Sequence, residues 1–432
     1  MAIATLIIFC VFLLICLLLE LPLLYALLAG LVLFTAYAIR YGHSFRNSIK
    51  LIFKGIGNAK NILLCFVLIG MLTGLWRAAG TIPTIVCYCQ KLIHPSVFLL
   101  MAFLLNCAIS LLTGTAFGTA ATMGVICGTM GAALQIPVYL TGGAVLSGVY
   151  FGDRCSPIST SALLVADLTK TNLHTNIKHM LRTGWVPFCI TCGIYAVIGA
   201  LTATSGELPD LSSIFGAEFR LSPVAVIPAV VLFALAALRV DVKLSMGISI
   251  LTSLPICIFL QNMSVKELLP VFLSGFTAQN TQVSPMINGG GIWSMAKVGA
   301  IVCISSAYSG LFKETDLLDP IKKWVFKLST HTSVFISVLT TSLVASAIAC
   351  NQTLSIILTK QVCDKLENDK NRLALYLENT AVVISPLIPW SIAGAVPLAS
   401  VGAPSLSILF AFFLMMLPVW NAFKTTKSVI CE

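Results

Sequence analysis

Residues 96–122 read SVFLLMAFLLNCAISLLTGTAFGTAAT. The first part, residues 96–113, carries no charge and consists mostly of large apolar side chains. A helix needs about 20 such residues to cross a hydrocarbon core about 30 Å thick. The run then meets Thr113-Gly114-Thr115, after which small residues and hydroxyl groups replace the large apolar ones. The stretch predicts a membrane helix that ends at a polar break.

The rest of the chain has the same apolar character. Hydrophobic residues make up 58% of the 432 positions and charged residues 10%, against about 25% charged in a soluble domain. The runs lack the alternation of barrel strands, so we predict an all-α polytopic membrane protein with about a dozen transmembrane helices. The clearest runs are 2–19, 21–39, 61–76, 96–113, 185–204, 222–238, 244–260, 331–349 and 403–421. Shorter or interrupted runs lie near 114–134, 137–151, 298–312, 351–359 and 381–398.

The net charge of +10 is explained by topology rather than by a nucleic-acid partner. Its basic residues flank apolar runs in short loops, as the positive-inside rule requires. The segment 40–60 carries five basic residues and no acid, which predicts a cytoplasmic location. No basic region precedes the first apolar run, so we predict a first membrane helix and not a removed signal. The expected location is the cell membrane, with multiple passes.

Fifteen cysteines are scattered through the apolar runs, and the closest pair, Cys87 and Cys89, does not have a CxxC spacing. Cysteine often behaves as a small apolar residue, so these thiols are predicted to be buried and not to bind metal. No cofactor is expected apart from Na⁺ or H⁺ as a coupling ion.

Short motifs recur in the two halves of the chain, which indicates an internal duplication. The pairs are GLWR at 74–77 with GLFK at 310–313, SVF at 96–98 with SVF at 333–335, and SPI at 156–158 with SPL at 385–387. Duplicated halves with interrupted helices are typical of secondary transporters. We therefore predict two inverted repeats with broken or re-entrant helices. The predicted units are an N-terminal helical hairpin and basic loop at 1–55, a first repeat at 56–215, connecting helices and a GGG segment at 216–294, and a second repeat at 295–432.

The polar breaks supply the candidate binding residues. Threonine hydroxyls in the first break can bind a cation or solute, although close helix packing through Gly114 and Gly118 explains that stretch equally well. Asp153 and Arg154 lie in the second break, where ionisable residues mark transport paths unless they cap a helix at the membrane surface. The candidate ligands are Thr115, Thr119, Asp153, Ser156, Ser159, Thr160, Asn351, Gln352, Ser385 and Ser391.

Proline and glycine are predicted to shape these breaks, since proline removes a backbone donor and glycine lets backbone approach closely. Residues 284–291 form either a buried unwound segment or an external loop. Glu378 is a candidate coupling residue, with a surface salt bridge as the alternative. The predicted break residues are Gly114, Gly118, Pro157, Asn288, Gly289, Gly290, Pro386 and Pro389.

At four places the sequence resembles the NhaC family of sodium/proton antiporters, within the wider ion-transporter superfamily of inverted-repeat carriers. The resemblance covers most of the chain, and its two SP-containing segments are the most specific. It rests on GTAFGTA at 114–120, GDRCSPIS at 152–159, NGGG at 288–291 with SM at 294–295, and SPLIPW at 385–390.

The chain departs from the family pattern at three positions, where the resemblance implies acids but Thr160, Asn351 and Asn379 stand. These neutral residues remove negative charge that would bind Na⁺ or carry protons. Na⁺ can still be held by hydroxyl and carbonyl oxygens. Neutral positions also leave room for an anionic or zwitterionic solute at helix N-termini.

Two functions follow, both by alternating access. The first is exchange of Na⁺ against H⁺, as the resemblance implies. The second is ion-coupled transport of a small organic acid or amino acid without Na⁺/H⁺ exchange. A channel or membrane enzyme is a remote third, because no metal-ligand cluster, nucleophile elbow or phosphate loop occurs. The expected partners are a small ion or solute, the lipid bilayer and a second copy of the chain in a homodimer.

Overall fold

Helices form the regular structure of the described chain, which confirms the predicted all-α class. The computed structural model describes residues 2–19, 21–57, 59–92, 94–202, 211–238, 240–281, 283–315, 332–349 and 351–430. Within these ranges, β pairing is limited to an isolated bridge between Phe276 and Gly289. Residues 203–210 and 316–331, which fall in the two predicted repeats, and Cys350 beside a predicted break lie outside the described residues.

The helices follow one another with short connections. In the first half they are α1 Ala2–Leu18, α2 Leu23–Arg40, α3 Phe45–Gly57, α4 Lys60–Ala78, α5 Thr81–Leu92, α6 Pro95–Thr113, α7 Ala116–Ala133, α8 Val138–Cys155, α9 Thr160–Thr169 and α10 Leu173–Thr202. The middle of the chain holds α11 Leu211–Gly216, α12 Pro223–Ala237, α13 Val242–Leu260, α14 Val265–Ser274 and α15 Ser284–Ile287. The second half holds α16 Ala296–Glu314, α17 Val334–Ala349, α18 Gln352–Cys363, α19 Lys370–Leu387, α20 Ile392–Val401 and α21 Phe412–Ile430.

Five helical segments of the described chain are long and apolar enough to cross a membrane, and counting each of two bent pairs as one span raises the number to seven. The five are Pro95–Thr113, Ala116–Ala133, Leu173–Thr202, Val242–Leu260 and Ile292–Phe312. The bent pairs are Phe45–Gly57 with Ile62–Ala78 and Lys370–Leu387 with Ile392–Val401. Several apolar helices are shorter than a full span, so the total of about a dozen stays a prediction.

The basic segment expected to be a loop is mostly helical. Within it, α3 buries Ser48, Leu51 and Gly55 along one face, at the spacing of an amphipathic helix. Gly55 lies so close to α16 that a Cβ there would be 2.3 Å from the Ser306 carbonyl oxygen. This contact draws the segment into a helix, because its apolar face has a partner to bury against.

The same order of elements occurs twice. In the first half, α6 breaks before α7, and α8 breaks before α9. In the second half, α17 breaks before α18, and α19 breaks before α20. The helix after each break has a polar N-cap whose side chain accepts a backbone N–H, as such caps do. These caps are Thr115 on α7, Ser159 on α9, Asn351 on α18 and Ser391 on α20.

Glycines let α8 lie directly against α6. A Cβ at Gly148 would be 2.6 Å from the Phe103 carbonyl oxygen, and one at Gly152 would be 2.3 Å from Ser110 Cβ. Such contact between helix backbones requires small residues. It fixes the end of α8, which carries Asp153.

Candidate functional site at the broken helices

Asp153 lies in the last turn of α8, at the first proline break. α8 ends because Ser156 is extended, with φ −82° and ψ 135°. A residue that precedes a proline is biased towards this conformation, and Pro157 follows. The proline therefore leaves Asp153 at a helix end inside the bundle.

Two hydroxyl groups bind the Asp153 carboxylate. Ser159 Oγ donates to Oδ1 at 3.0 Å, and Ser161 Oγ donates to Oδ2 at 2.8 Å. Ser159 Oγ also accepts the backbone N–H of Ser161 at 3.2 Å. Asp153 is only 4% exposed, and among the described residues no ion pair includes it. The carboxylate is thus buried and held by hydrogen bonds.

The N-termini of three helices meet at this carboxylate. α9 supplies the two serines, while the backbone N–H of Ala116 at the start of α7 and the side chain of Gln352 at the start of α18 also interact with Asp153. Gln352 Nε2 donates in addition to the Val382 carbonyl oxygen at 3.1 Å. Helix N-termini carry partial positive charge, so they stabilise an anionic group here. Both halves of the chain contribute to this site.

Arg154 joins α8 to two other helices. Its guanidinium is fully buried and donates from Nη1 and Nη2 to the Met180 carbonyl oxygen of α10, both at 3.2 Å. Nη2 also donates to Thr183 Oγ1 at 3.4 Å and to Asn379 Oδ1 of α19. The cation is held by neutral oxygen atoms and not by a carboxylate.

Glu378 differs from Asp153 in its hydrogen bonding. The residue is fully buried, yet both carboxyl oxygens lack a hydrogen-bond partner in the described structure. Arg154 and Asp153 are close enough to interact with it electrostatically. The surface salt bridge considered from the sequence is therefore wrong for Glu378.

The other candidate hydroxyls of the first half do not bond to the Asp153 carboxylate. Thr115 caps α7, and Thr119 Oγ1 lies 2.8 Å from Thr113 Oγ1. Ser156 Oγ donates to the Leu111 carbonyl oxygen at 2.8 Å. Thr160 is exposed. In this conformation these residues surround the Asp153 site without a hydrogen bond to its carboxylate.

The second-half candidates behave similarly. Asn351 Oδ1 accepts the Leu354 N–H at 2.8 Å as the cap of α18. Ser385 and Ser391 lie on either side of the proline break, with their hydroxyl oxygens 3.3 Å apart. Gln352 is the second-half candidate that interacts with Asp153.

The predicted break residues lie at ends of helices or inside short turns. Gly114 ends α6 with φ 62°, in the left-handed region. Gly118 lies in the first turn of α7, and Pro157 lies between α8 and α9. Pro386 and Pro389 accompany a bend of 56° between α19 and α20. Each proline removes a backbone donor where the helix stops.

The glycine-rich segment is unwound and partly buried. Gly290 and Gly291 are buried, whereas Asn288 is exposed. Gly291 N donates to the Gly70 carbonyl oxygen of α4 at 2.8 Å. Gly289, Gly290 and Gly291 have φ of 125°, 77° and 77°, which residues with a Cβ rarely adopt. Of the two structures considered for 284–291, the buried unwound segment describes its glycine end.

A cavity of about 600 Å³ lies away from this site and includes Glu218 and Glu267 in its lining. Glu218 accepts the backbone N–H groups of Gln279 and Asn280 at 2.7 and 3.1 Å. Hydrogen bonds from Ser264 hold the pKa of Glu267 below its usual value. Both carboxylates support local backbone, so the cavity volume alone does not make this the ion site.

Two features of the site were not predicted from the sequence. Ser161 was not among the candidate ligands, although it follows Ser159 by two residues in a hydroxyl-rich turn. Asn379 was noted only as a departure from the family, and its contact with Arg154 joins residues 225 positions apart. The N-cap position of Ser159 could have indicated Ser161, but no local signal indicates Asn379.

The fold and the site define a polytopic helical membrane protein whose buried polar centre is built where helices break. The chain belongs to the Na⁺/H⁺ antiporter family, whose model matches residues 2–167 and 148–422. This confirms the NhaC resemblance of the motifs and makes the chain an integral membrane protein of an antiporter family.

Three relatives have different named substrates. The malate-2H⁺/Na⁺-lactate antiporter of Bacillus subtilis (strain 168) is 29% identical over 90% of this chain and 86% of its own length. The Na⁺/H⁺ antiporter NhaC of Alkalihalophilus pseudofirmus is 28% identical over 82% of this chain and 79% of its own length. The arginine/ornithine antiporter ArcD of Halobacterium salinarum is 28% identical over 92% of this chain and 84% of its own length.

Proposed function

We propose that this protein is an ion-coupled antiporter in which Asp153 binds the coupling cation, Na⁺ or H⁺, at the meeting point of the broken helices. The observation that carries the proposal is the buried Asp153 carboxylate, which has hydroxyl donors but no ion pair among the described residues. Buried acids that face a bundle interior mark ion paths. Hard cations prefer oxygen ligands, and carboxylate and serine oxygens adjoin here.

A small organic acid or amino acid is the second candidate cargo. It is favoured by the neutral Thr160, Asn351 and Asn379 and by the helix N-termini at the site, which can interact with a carboxylate group of a solute. Relatives named as malate/lactate and arginine/ornithine antiporters support this possibility. We propose transport rather than enzyme activity in either case, and a homodimer stays a prediction.

We also propose that the two halves are inverted repeats with about a dozen spans. Support comes from α10, which is about 45 Å long at 1.5 Å per residue. The start of α6 lies near its C-terminal end, where a Cβ at Gly199 would be 2.5 Å from the Ser96 carbonyl oxygen. Val338, in the second turn of α17, belongs to the same buried apolar cluster as Val165 of α9. We propose that α17, the counterpart of α6, starts nearer the other end of α10.

Reconstituted vesicles test the function. Purified protein in vesicles with a trapped pH indicator should dissipate an imposed pH gradient when Na⁺, or Na⁺ with a labelled solute, is added. Asp153→Asn should reduce the rate at least about tenfold, because the variant loses the charge that compensates the cation.

The matched control is Asp167→Asn, which removes an exposed carboxylate and should leave the rate unchanged. Labelled monocarboxylates, dicarboxylates and basic amino acids should identify any solute by counterflow. Undiminished exchange by Asp153→Asn would refute the role of Asp153.

A further inference from the structure

Glu378 is the buried acid that the proposed cation site does not use. It ends the first part of α19, where Lys370–Asn379 gives way to Thr380 with φ −127° and ψ −82°. The side chain is fully buried, and neither carboxyl oxygen has a hydrogen-bond donor in the described structure. Asp153, by contrast, receives two hydroxyl donors. The two buried acids of this polar region therefore differ in their hydrogen bonding.

An ionised Glu378 would have no hydrogen-bond donor among the residues that the structure describes. A buried charge is strongly destabilising unless hydrogen bonds or a counter-ion compensate it. Arg154 is electrostatically close, but its Nη1 and Nη2 atoms bond to Met180, Thr183 and Asn379, and its Nε has no hydrogen-bond partner among the described residues. A proton on Glu378 removes the charge without any further ligand.

The charged neighbours of Glu378 are few. Arg154 and Asp153 interact with it, and the Cys155 thiol lies beside them. Arg154 contacts Met180 and Thr183 of α10, and both of these residues are neutral. Protonation of Glu378 therefore changes the net charge of the group formed by Glu378, Asp153 and Arg154.

Buried hydroxyls also occur along α17, where Ser342 and Ser337 belong to separate hydrogen-bonded pairs. Thr380, two residues after Glu378, accepts a hydrogen bond from Ser342 Oγ at 2.9 Å. Ser337 and Thr341 are also buried. Ser337 Oγ lies 2.9 Å from Oγ1 of Thr332, which is half-buried. Hydroxyl groups both donate and accept hydrogen bonds, so this part of α17 presents polar groups inside the bundle.

We infer that Glu378 is a proton-binding site separate from the Asp153 cation site, and that the contact between Arg154 and Asn379 links the two. This inference rests on the proposed function, since it assigns the proton to one acid and Na⁺ to the other. Asp153 precedes Arg154 in the chain, and Glu378 precedes Asn379, so one hydrogen bond joins the two acid-bearing turns. Na⁺ binding at Asp153 and proton release from Glu378 are thereby coupled, and such coupling acts equally in both directions.

Proton release on Na⁺ binding tests the inference. In weakly buffered detergent solution, the unmodified protein should release about one proton per Na⁺ bound, and its apparent Na⁺ Kd should change by up to about tenfold per pH unit. Glu378→Gln should still bind Na⁺, but without proton release and with a Kd that varies less than about twofold between about pH 6 and 8. Glu378→Asp keeps a carboxyl group and should release a proton in a shifted pH range. Asp167→Asn is the matched control.

Infrared difference spectra provide a readout that does not depend on Na⁺ binding. The C=O band of a protonated carboxyl group should titrate with pH in the unmodified protein and be absent from Glu378→Gln. Full proton release by Glu378→Gln, or an unchanged band, would overturn the inference. Loss of Na⁺ binding in Asp153→Asn with retention of the band supports it. A protein that binds no Na⁺ but keeps a Glu378-dependent band would refute Na⁺ as the coupling cation at Asp153 while preserving the proton site.

Discussion

At the residue scale, two hydroxyl donors distinguish the environment of Asp153 from that of Glu378. Ser161 Oγ lies 2.8 Å from one carboxylate oxygen, whereas Thr160, the preceding residue, is exposed. Both residues are small and hydroxylated, so the sequence alone does not distinguish them. The first turn of α9 distinguishes the two residues, because consecutive side chains of a helix point about 100° apart around its axis.

Ser161→Ala is expected to weaken coupling-cation binding about tenfold or more, since a hydrogen bond to a charged group contributes about 1.5–3 kcal/mol. Thr160→Ala changes an exposed side chain and is expected to alter affinity less than about twofold, because surface substitutions usually have small effects. Titration calorimetry with Na⁺ on the two purified variants measures the difference. Equal losses would place Thr160, as well as Ser161, at the cation.

At the scale of elements, the close packing of α8 on α6 fixes the position of the site. Gly148 and Gly152 bring the α8 backbone against α6, and Asp153 follows in the same turn. The breaks depend on local sequence, since each has a proline or a polar N-cap. The meeting of the starts of α7, α9 and α18 at one carboxylate depends instead on how the helices pack.

Gly148→Ala should destabilise the protein by about 1–3 kcal/mol, the usual cost of overpacking a core. Its Cβ would lie 2.6 Å from a backbone oxygen, which cannot move like the end of a side chain. Gly193→Ala on α10 is the control, because nothing lies within 4 Å of its Cβ. Thermal unfolding in detergent compares them, and equal melting temperatures would contradict the close packing of α6 on α8.

The proposed inversion of the two halves is a property of the whole molecule. It requires the connection after α9 and the connection after α20 to lie on opposite sides of the membrane. Both connections follow the helix after a proline break, and both include exposed residues, Asn172 and Ser405. Motif pairs in the sequence indicate duplication, but they do not give the direction of each copy.

Asn172→Cys and Ser405→Cys test this topology. A membrane-impermeant maleimide should label one of them in right-side-out vesicles and the other in inside-out vesicles, relative to protein with its natural cysteines only. The inverted arrangement predicts opposite sides, because each copy then enters the membrane from the opposite face. Labelling of both from one side would contradict it.

The sequence by itself determined the helical membrane class, the positions of the breaks and the family. Apolar length, proline and polar N-caps act within a few residues, so their effects can be read locally. Only the tertiary structure decided that Asp153 accepts hydrogen bonds from Ser161 and Gln352 and that Arg154 donates one to Asn379. It also decided that Glu378 is buried without a hydrogen-bond donor among the described residues. These environments are made by helices far apart in the chain, and the cost of burying a charge depends on which groups those helices bring to it.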